Sequence, residues 1–580
     1  MKKTSLVTLF AISCMCLHAQ INENATEAVK NMGVGWNLGN TFDASKSAGT
    51  DIDAPGYWGQ QGVESETWWG QPVTKPELFT MMKNAGFNSI RIPVTWYNHM
   101  TPEGKVDDAW MARVHEVVDY VISNGMYCIL NVHHDTGADS KDHVSWLKAD
   151  MNSYNKNKTR YEGLWRQIAE EFKDYGKNLL FESYNEMLDT YSSWCFASFA
   201  APGNYNATSA ASSYNAINSY AQSFVNTVRA TGGNNAQRNL IVNTYAACCG
   251  TGTWNNHLQD PLKEMLLPED TAGDGHLIFE VHSYPAIAKQ SGNTIVNRPW
   301  NEIKAEVDQL VNNLQNHLSS KGAPVIIGEW GTSNVDSEAG ERDYDKRRDW
   351  MFQFVDYFVQ QTKAAGMATF YWMGLSDGLC RDMPAFSQPD LAERIVKAYY
   401  GDEFTGEYPD VKVANEYVCF EGDKKLGWGD GITIPATLFA GYGPEVQLVL
   451  DYKQEGNSDD IQFFYGDWSS TLSFIVDGKT YSADFRPRNH YNTPNGTEHT
   501  TTFTFDAATY AKLSQKGLII HGDCIRLYKA VLSDGTAGID AIRPDSNAQG
   551  NVIHDITGQR LSACPDKGIY IVNGRKMLIR

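Results

Sequence analysis

With 580 residues, 42% of them hydrophobic and 20% charged, the chain has globular composition and is too long for one ordinary domain. Its formal net charge of −20 repels phosphate backbones and anionic lipid surfaces, which argues against a nucleic-acid or membrane-surface partner. Aromatic residues reach 12%, with 16 Trp and 29 Tyr, which suits stacking on flat apolar ligands or filling a large core.

The first twenty residues carry the parts of a secretory signal: Lys2 and Lys3, an apolar stretch from Leu6 to Leu17, and Leu17-His18-Ala19 as a small-residue cleavage site. Residues 1–20 are expected to send the chain out of the cytoplasm, to the medium, the periplasm or the cell surface. Neither Cys14 nor Cys16 sits in a Leu-rich lipobox. No later run reaches the roughly 18–20 apolar residues of a membrane span. Of ten cysteines, those two fall in the signal and eight lie scattered beyond it. They imply buried thiols with at most one bridge, and the neighbours Cys248-Cys249 are poorly placed to bridge each other. No Cys or His spacing suggests zinc.

From residue 30 to 400 a strand followed by an amphipathic helix recurs. Strand-like runs are Gly33–Asn37, Ser89–Val94, Tyr127–His134, Leu179–Glu186, Asn239–Ala246, His276–Tyr284, Pro324–Gly331 and Met367–Gly374. Trp110, Val114, Val117, Val118 and Val121 mark one helix face between them, and Leu78, Met81, Met82 and Ala85 another. Continuously apolar strands are covered on both faces, as in parallel sheets. Eight such units fit an α/β fold of the (β/α)8 TIM-barrel type over residues 21–402, with enlarged loops, better than an open doubly wound sheet. The Ser/Asn-rich stretch Ser192–Asn218, after the fourth strand, is expected to be one such loop.

Past Asp402 the rhythm changes to short alternating runs separated by Gly, Asn and Asp: Val446–Tyr452, Ile461–Tyr465, Leu472–Val476, Thr500–Phe505 and Gly517–Ile520. This predicts an antiparallel β-sandwich over 403–534. Phe463 to Trp468 and Trp428 could form an aromatic platform there, although alternation places half the side chains of any strand inside. A tail, 535–580, holds further strand-like pieces at Asn551–Ile556 and Gly568–Val572.

In a barrel of parallel strands, function gathers at the strands' C-terminal ends. Here those ends are polar: Arg91 on the second, His133-His134-Asp135 on the third, Asn185-Glu186 on the fourth. The sixth ends His282-Ser283-Tyr284, the seventh Gly328-Glu329-Trp330-Gly331, and the eighth carries Tyr371-Trp372. Six of eight strands ending this way point to one shared cleft. Alternation puts Glu182, Tyr184 and Glu186 on one face and Glu280, His282 and Tyr284 on another. It sets His133 and His134 on opposite faces unless the strand has bent, which favours His133 as the site residue. Glu182 and Glu280 lie deeper and are expected to be structurally paired.

The segments Gly35-Trp36-Asn37-Leu38-Gly39-Asn40-Thr41-Phe42-Asp43, Ile90-Arg91-Ile92-Pro93-Val94, Asn131-Val132-His133-His134, Phe181-Glu182 with Asn185-Glu186, and Ile327-Gly328-Glu329-Trp330-Gly331 occur in this order. Together they resemble glycoside hydrolase family 5 across the whole barrel. Glu66-Thr67-Trp68-Trp69-Gly70 adds a likeness to its endo-β-1,4-glucanase and xyloglucanase branch. The resemblance implies Glu186 as general acid/base and Glu329 as nucleophile. It implies Asn185 on the sugar 2-hydroxyl, Tyr284 and Arg91 bonded to the nucleophile, His133 and His282 lining the cleaved-sugar subsite, and Trp372 as its floor. Asn40 and His134 join the substrate-binding set. Met187 departs from the proline many members place after Asn-Glu, which alters a loop rather than the chemistry. The tail segments Ile556-Thr557-Gly558-Gln559-Arg560 and Lys567-Gly568-Ile569-Tyr570-Ile571-Val572 resemble a type IX secretion sorting tail, and a sandwich beside a glycanase resembles a carbohydrate-binding module.

Physical chemistry leads to the same pair. A retaining glycosidase holds two carboxyl groups about 5–5.5 Å apart. At that distance and an effective dielectric of about 20, two charges repel by roughly 3 kcal/mol, or about two pKa units. An arginine and a tyrosine beside one of them keep that one charged, so the other retains its proton. His133-His134-Asp135 also looks like a metal pattern of barrel amidohydrolases. Those need paired histidines early in the chain, where Trp36-Asn37 stand instead, so neither metal nor other cofactor is expected. The expected activity is hydrolysis of a plant β-glucan polysaccharide, the alternatives being a β-mannanase on the same barrel or a non-catalytic glycan binder. Nothing in the sequence sets the oligomeric state.

Overall fold

The computed structural model describes residues 21–534 apart from 47, 200–204, 334–345, 411–415, 428–430, 457–458 and 483, together with short strands between 540 and 579. The expected signal, Trp428, residues 551–552 and 555–559, and Lys567 of the second tail segment lie outside the described residues. The chain divides into two compact units, Met1–Asp410 and Val411–Arg580.

In the first unit eight strands form a closed barrel: β1 Val34–Asn37, β2 Ser89–Ile92, β3 Tyr127–Asn131, β4 Leu179–Glu182, β5 Leu240–Asn243, β6 Leu277–Ser283, β7 Val325–Trp330 and β8 Ala368–Tyr371. Each pairs in parallel with its neighbours in the chain, and β8 closes onto β1 through Val34 opposite Thr369. The TIM-barrel reading is therefore borne out. Every residue of these strands is buried, as the continuously apolar runs require when helices cover the outside. Ile129, Leu180, Ile241, Ile278 and Ile326 pack inside the barrel against Ala25, Ala28, Val29 and Met32 of the helix Ala25–Met32. That helix starts with a capping box between Asn24 and Glu27 and plugs the end of the barrel opposite the polar strand ends. Outside, the helices Pro76–Ala85 and Asp108–Ser123 bury the faces read from their spacing.

Two expectations need correction. The strands stop three to four residues earlier than the apolar runs at β3, β4, β5 and β8, because the polar residues there have turned out of the sheet. The Ser/Asn-rich stretch is not a loop throughout, since a helix runs over Ala207–Ala230. Asn206 caps it by accepting from the Ser209 N–H, and Ala210, Tyr214, Ile217, Tyr220, Ala221 and Phe224 form a buried stripe. Polar composition hid a helical period.

In the second unit, a six-stranded and a four-stranded antiparallel sheet are joined by aromatic side chains. Phe463 of the smaller sheet meets Phe474 and Phe503 of the larger at 4.9 Å, and Phe485 meets Phe503 at 5.4 Å, which makes a sandwich core. Phe463 and Tyr465 fill that core, whereas Trp468 is exposed beside Phe464. Strands at Asp540–Ile542, Ile553–His554, Arg560–Leu561, Gly568–Val572 and Arg575–Ile579 make a further five-stranded sheet.

Candidate active site

Alternation along β2 turns Arg91 into the barrel, and its guanidinium becomes the hub of the mouth. Nε and Nη2 donate to Glu182 Oε2 and Oε1 at 2.7 and 2.8 Å, and Nη2 donates to Asn185 Oδ1 at 2.8 Å. Nη1 donates to Glu329 Oε1 at 2.7 Å and to Asn37 Oδ1 at 3.0 Å. Burial opposes this charge, yet the carboxylates of Glu182, Glu280 and Glu329 hold the Arg91 pKa well above its ordinary value. The pair Arg91–Glu182 is wholly buried, and Asn131 Nδ2 adds a third donor to Glu182 at 3.0 Å. A buried ion pair needs such complete hydrogen bonding to offset its desolvation.

Glu329 stands on β7, almost fully buried, and its second oxygen accepts from the Tyr284 phenol at 2.7 Å. Burial raises its pKa above the ordinary carboxylate value, against the opposing pull of His282, Arg91 and the Tyr284 hydrogen bond. Glu186 lies on the irregular segment after β4. Its side chain is 24% exposed and Oε1 accepts from His282 Nδ1 at 2.8 Å. One oxygen of Glu186, one of Glu329 and a ring nitrogen of His282 lie within 4.8 Å of one another. Burial would depress His282, but Glu329, Glu186 and Glu280 outweigh it and lift its pKa to about 10. The ring is thus an imidazolium at neutral pH, a donor to the carboxyl groups around it. Glu280, 3.5 Å from the other ring nitrogen, is pushed to about 8 by burial and by repulsion from Glu182, and keeps its proton.

Gly328 explains why the Glu329 strand begins its polar end with glycine. A Cβ there would lie 1.5 Å from Glu280 Oε1, so only a residue without one lets Glu280 and Glu329 share the mouth.

On one side of the pair, the His133 ring lies parallel to Trp372, centroids 6.0 Å apart, and its Nε2 is 4.0 Å from Glu329 Oε1. Burial keeps His133 well below the ordinary histidine pKa and so neutral. His134 packs edge-on to His133 at 4.5 Å and near Trp69 at 5.4 Å. Both histidines therefore face the mouth, because β3 ends at Asn131 and the chain has bent. Asp43, His133 and His134 form the other cluster, among the described residues, whose ligand atoms lie within 4.8 Å. Here the histidines are neutral, and burial raises the Asp43 carboxyl to about 6. On the opposite side, a cavity of about 300 Å³ is lined by Glu186, Trp194, Cys195, Cys248, His282 and Tyr284.

Thus Glu186, Glu329, Arg91, Asn185, His133, His282 and Tyr284 meet in one network, with Trp372 and His134 beside it. Asn40 does not join them. It occupies a left-handed turn after β1 (φ 57°), with its backbone N–H on the Asp43 carboxylate. Tyr184 also departs from its expected face: past the end of β4 it turns outward, donating to the carbonyls of Asn243 and Ile217. Sequence reasoning missed Asn37 and Asn131, whose strand-end position was the available signal. It missed Trp194 and Cys195, which lie on an irregular segment that has none.

The sequence profile described as cellulase (glycosyl hydrolase family 5) matches residues 48–377. Endoglucanase B of Neocallimastix patriciarum is 33% identical over 378 residues, covering 64% of this chain and 69% of that protein. Endoglucanase A of Ruminococcus albus is 33% identical over 342 residues, covering 58% of this chain and 80% of that protein. Among solved structures, a GH5-4 broad specificity endoglucanase from an uncultured bacterium shares 61% identity, with a TM-score of 0.60, over 66% of this chain and 97% of that one. A family 5 enzyme from Prevotella bryantii in complex with a xyloglucan tetradecasaccharide shares 40% identity, with a TM-score of 0.54, over 66% and 99%. The resemblance carried by the strand-end motifs is borne out, and the chain belongs to glycosyl hydrolase family 5, the glycoside hydrolases that break O-glycosyl bonds.

Proposed function

We propose that the chain is a secreted, retaining endo-β-1,4-glucanase that cleaves plant β-glucans, xyloglucan among them. The observation that carries this reading is the unequal setting of two nearby carboxyls. Glu329 receives Arg91 and Tyr284, while Glu186 faces the cavity and accepts from His282. An oxygen of one lies within 4.8 Å of an oxygen of the other, close to the retaining range.

Glu186 protonates the glycosidic oxygen as Glu329 attacks the anomeric carbon, which releases the leaving chain and leaves a glycosyl ester on Glu329. Glu186, now a carboxylate, takes a proton from water, and that water cleaves the ester. His282 holds the Glu186 oxygen and Asn185, fixed by Arg91, presents its amide to the sugar 2-hydroxyl. His133 and Trp372 provide the floor of the cleaved sugar's site, with His134 beside them. The endoglucanase relatives and the xyloglucan-bound Prevotella structure support the glucan backbone and a cleft that tolerates branches. Secretion rests on residues 1–20.

The test is reducing-end release from purified cellulose, mixed-linkage glucan, xyloglucan and mannan, with NMR of the first anomer formed. The glucans should be cut with retention, and Glu329→Gln should abolish release. Equal activity of that variant, or an inverted first product, would overturn the mechanism. Mannan as the preferred polymer would overturn the substrate.

A further inference from the structure

The cavity beside Glu186 carries two thiols that this chemistry leaves unused. Cys195 follows Trp194 on the irregular segment after β4, and Cys248 lies on the segment after β5. Both line that one cavity, close enough that each thiol shifts the titration of the other. Cys195 is held at a left-handed φ of 70°, a conformation that a non-glycine residue keeps only where its surroundings dictate it. The two are chemically unequal. Cys195 is exposed, and the hydrogen bond from Cys248 lowers its thiol to about 7 against the effect of burial. Cys248 is buried, and burial raises its thiol well above the ordinary value. This is the pairing of an attacking thiolate that reagents can reach with a resolving thiol behind it. Cys249 lines the same cavity, but its sulfur is paired with Thr251 Oγ1 at 3.6 Å.

We propose that Cys195 and Cys248 are a cross-linking site that takes a small-molecule or protein disulfide as its oxidant. The Cys195 thiolate attacks one sulfur of that disulfide, forming a mixed disulfide and expelling one thiolate. Cys248 then loses its proton to solvent and attacks Cys195 Sγ, expelling the second thiolate. Two protein thiols and one external disulfide become one protein disulfide and two external thiols, so electrons balance. The bridge ties the segment after β4 to the segment after β5 and constrains the unfolded chain, as disulfides closing long loops do. It also fixes Trp194 at the rim of the cavity that Glu186 faces. That consequence for the leaving-group side rests on the hydrolase mechanism above, and the cross-link itself does not.

The test incubates the purified full chain with oxidised glutathione, alkylates it after denaturation and maps peptides without reductant. One linked pair, Cys195 with Cys248, is expected, lighter than the free peptides by two hydrogens and absent from Cys195→Ser and Cys248→Ser. The oxidised protein should melt a few degrees above the reduced one, and the double variant should lose that difference. Recovery of both cysteines alkylated, of Cys195 only as its glutathione adduct, or of Cys195 joined to Cys249 would overturn the proposal. Reducing-end release measured on the same samples separates the two readings: absence of hydrolysis in both redox forms removes the glucanase mechanism and leaves the peptide map to decide the cross-link.

Discussion

Tyr284 and Arg91 reach different oxygens of Glu329, so each can be removed without losing the other. A hydrogen bond from a neutral donor to a buried carboxylate favours the charged form, and a group bonded to charge is worth about 1.5–3 kcal/mol. Tyr284→Phe should therefore raise the Glu329 pKa and shift the acid limb of the kcat/KM profile to higher pH. A loss of about 10- to 100-fold near the optimum follows from that energy. An unmoved acid limb would show that the phenol does not act on Glu329. His282 and Glu280 make a second claim, about stability. Glu280 moves from 4.5 to about 8 on folding, so between these pH values the unfolded chain loses a proton that the folded one keeps. Stability must fall as pH rises through that window. His282 moves from 6.5 to about 10, so the stability from its ion pairs is complete below 6.5 and disappears as pH rises toward 10. Glu280→Gln, uncharged at every pH, should flatten the fall in Tm between about pH 5 and 8 and spare the fall above it. Unchanged curves for parent and variant would assign the slope to other groups.

At the scale of the element, β7 works because a glycine precedes its glutamate. In Gly328→Ala the new methyl would overlap Glu280 Oε1, and overpacking of this kind costs about 1–3 kcal/mol. The variant should melt lower and lose activity, because relief of the clash moves the Glu329 backbone. Adding Glu280→Ala should restore part of the Tm lost, a coupling of at least about 0.5 kcal/mol for groups in direct contact; strictly additive losses would refute the clash. The same strand shows what the sequence could disclose. Glu329, Arg91 and the β6 residues His282 and Tyr284 were legible because they lie on or just beyond regular strands, where a period of two assigns each side chain to a face. Tyr184 was misassigned because β4 ends at Glu182, after which turns decide direction, and His134 could be placed only on the condition that the chain bends after Asn131, which it does. The helix Ala207–Ala230 was obscured by its own serines and asparagines, which favour caps and turns in isolation; here most ride the exposed face, while Ser213 and Ser223 join the buried stripe.

For the whole molecule, the barrel was legible because eight buried parallel strands leave an apolar run each, and the sandwich because its strands alternate. The strand Glu416–Lys425 went unseen, since its residues are exposed or half-buried and carry no clean period. The described parts of the two units have separate cores, mainly isoleucines inside the barrel and phenylalanines between the sheets. Units with their own cores melt as cooperative blocks, and a ligand stabilises only the block that binds it. Calorimetry of the full chain with a β-1,4-gluco-oligosaccharide at about 100 times its dissociation constant should therefore raise one transition by the equivalent of about 2.7 kcal/mol. Glu329→Gln identifies that transition as the barrel's if it changes the transition's Tm without oligosaccharide and leaves the other in place. The other transition discriminates between the two roles open to the sandwich. If it stays fixed, Phe463 and its neighbours only fill a core; if it also climbs, Trp468 and Phe464 form a surface that binds glycan, and Trp468→Ala should return that transition alone to its ligand-free Tm.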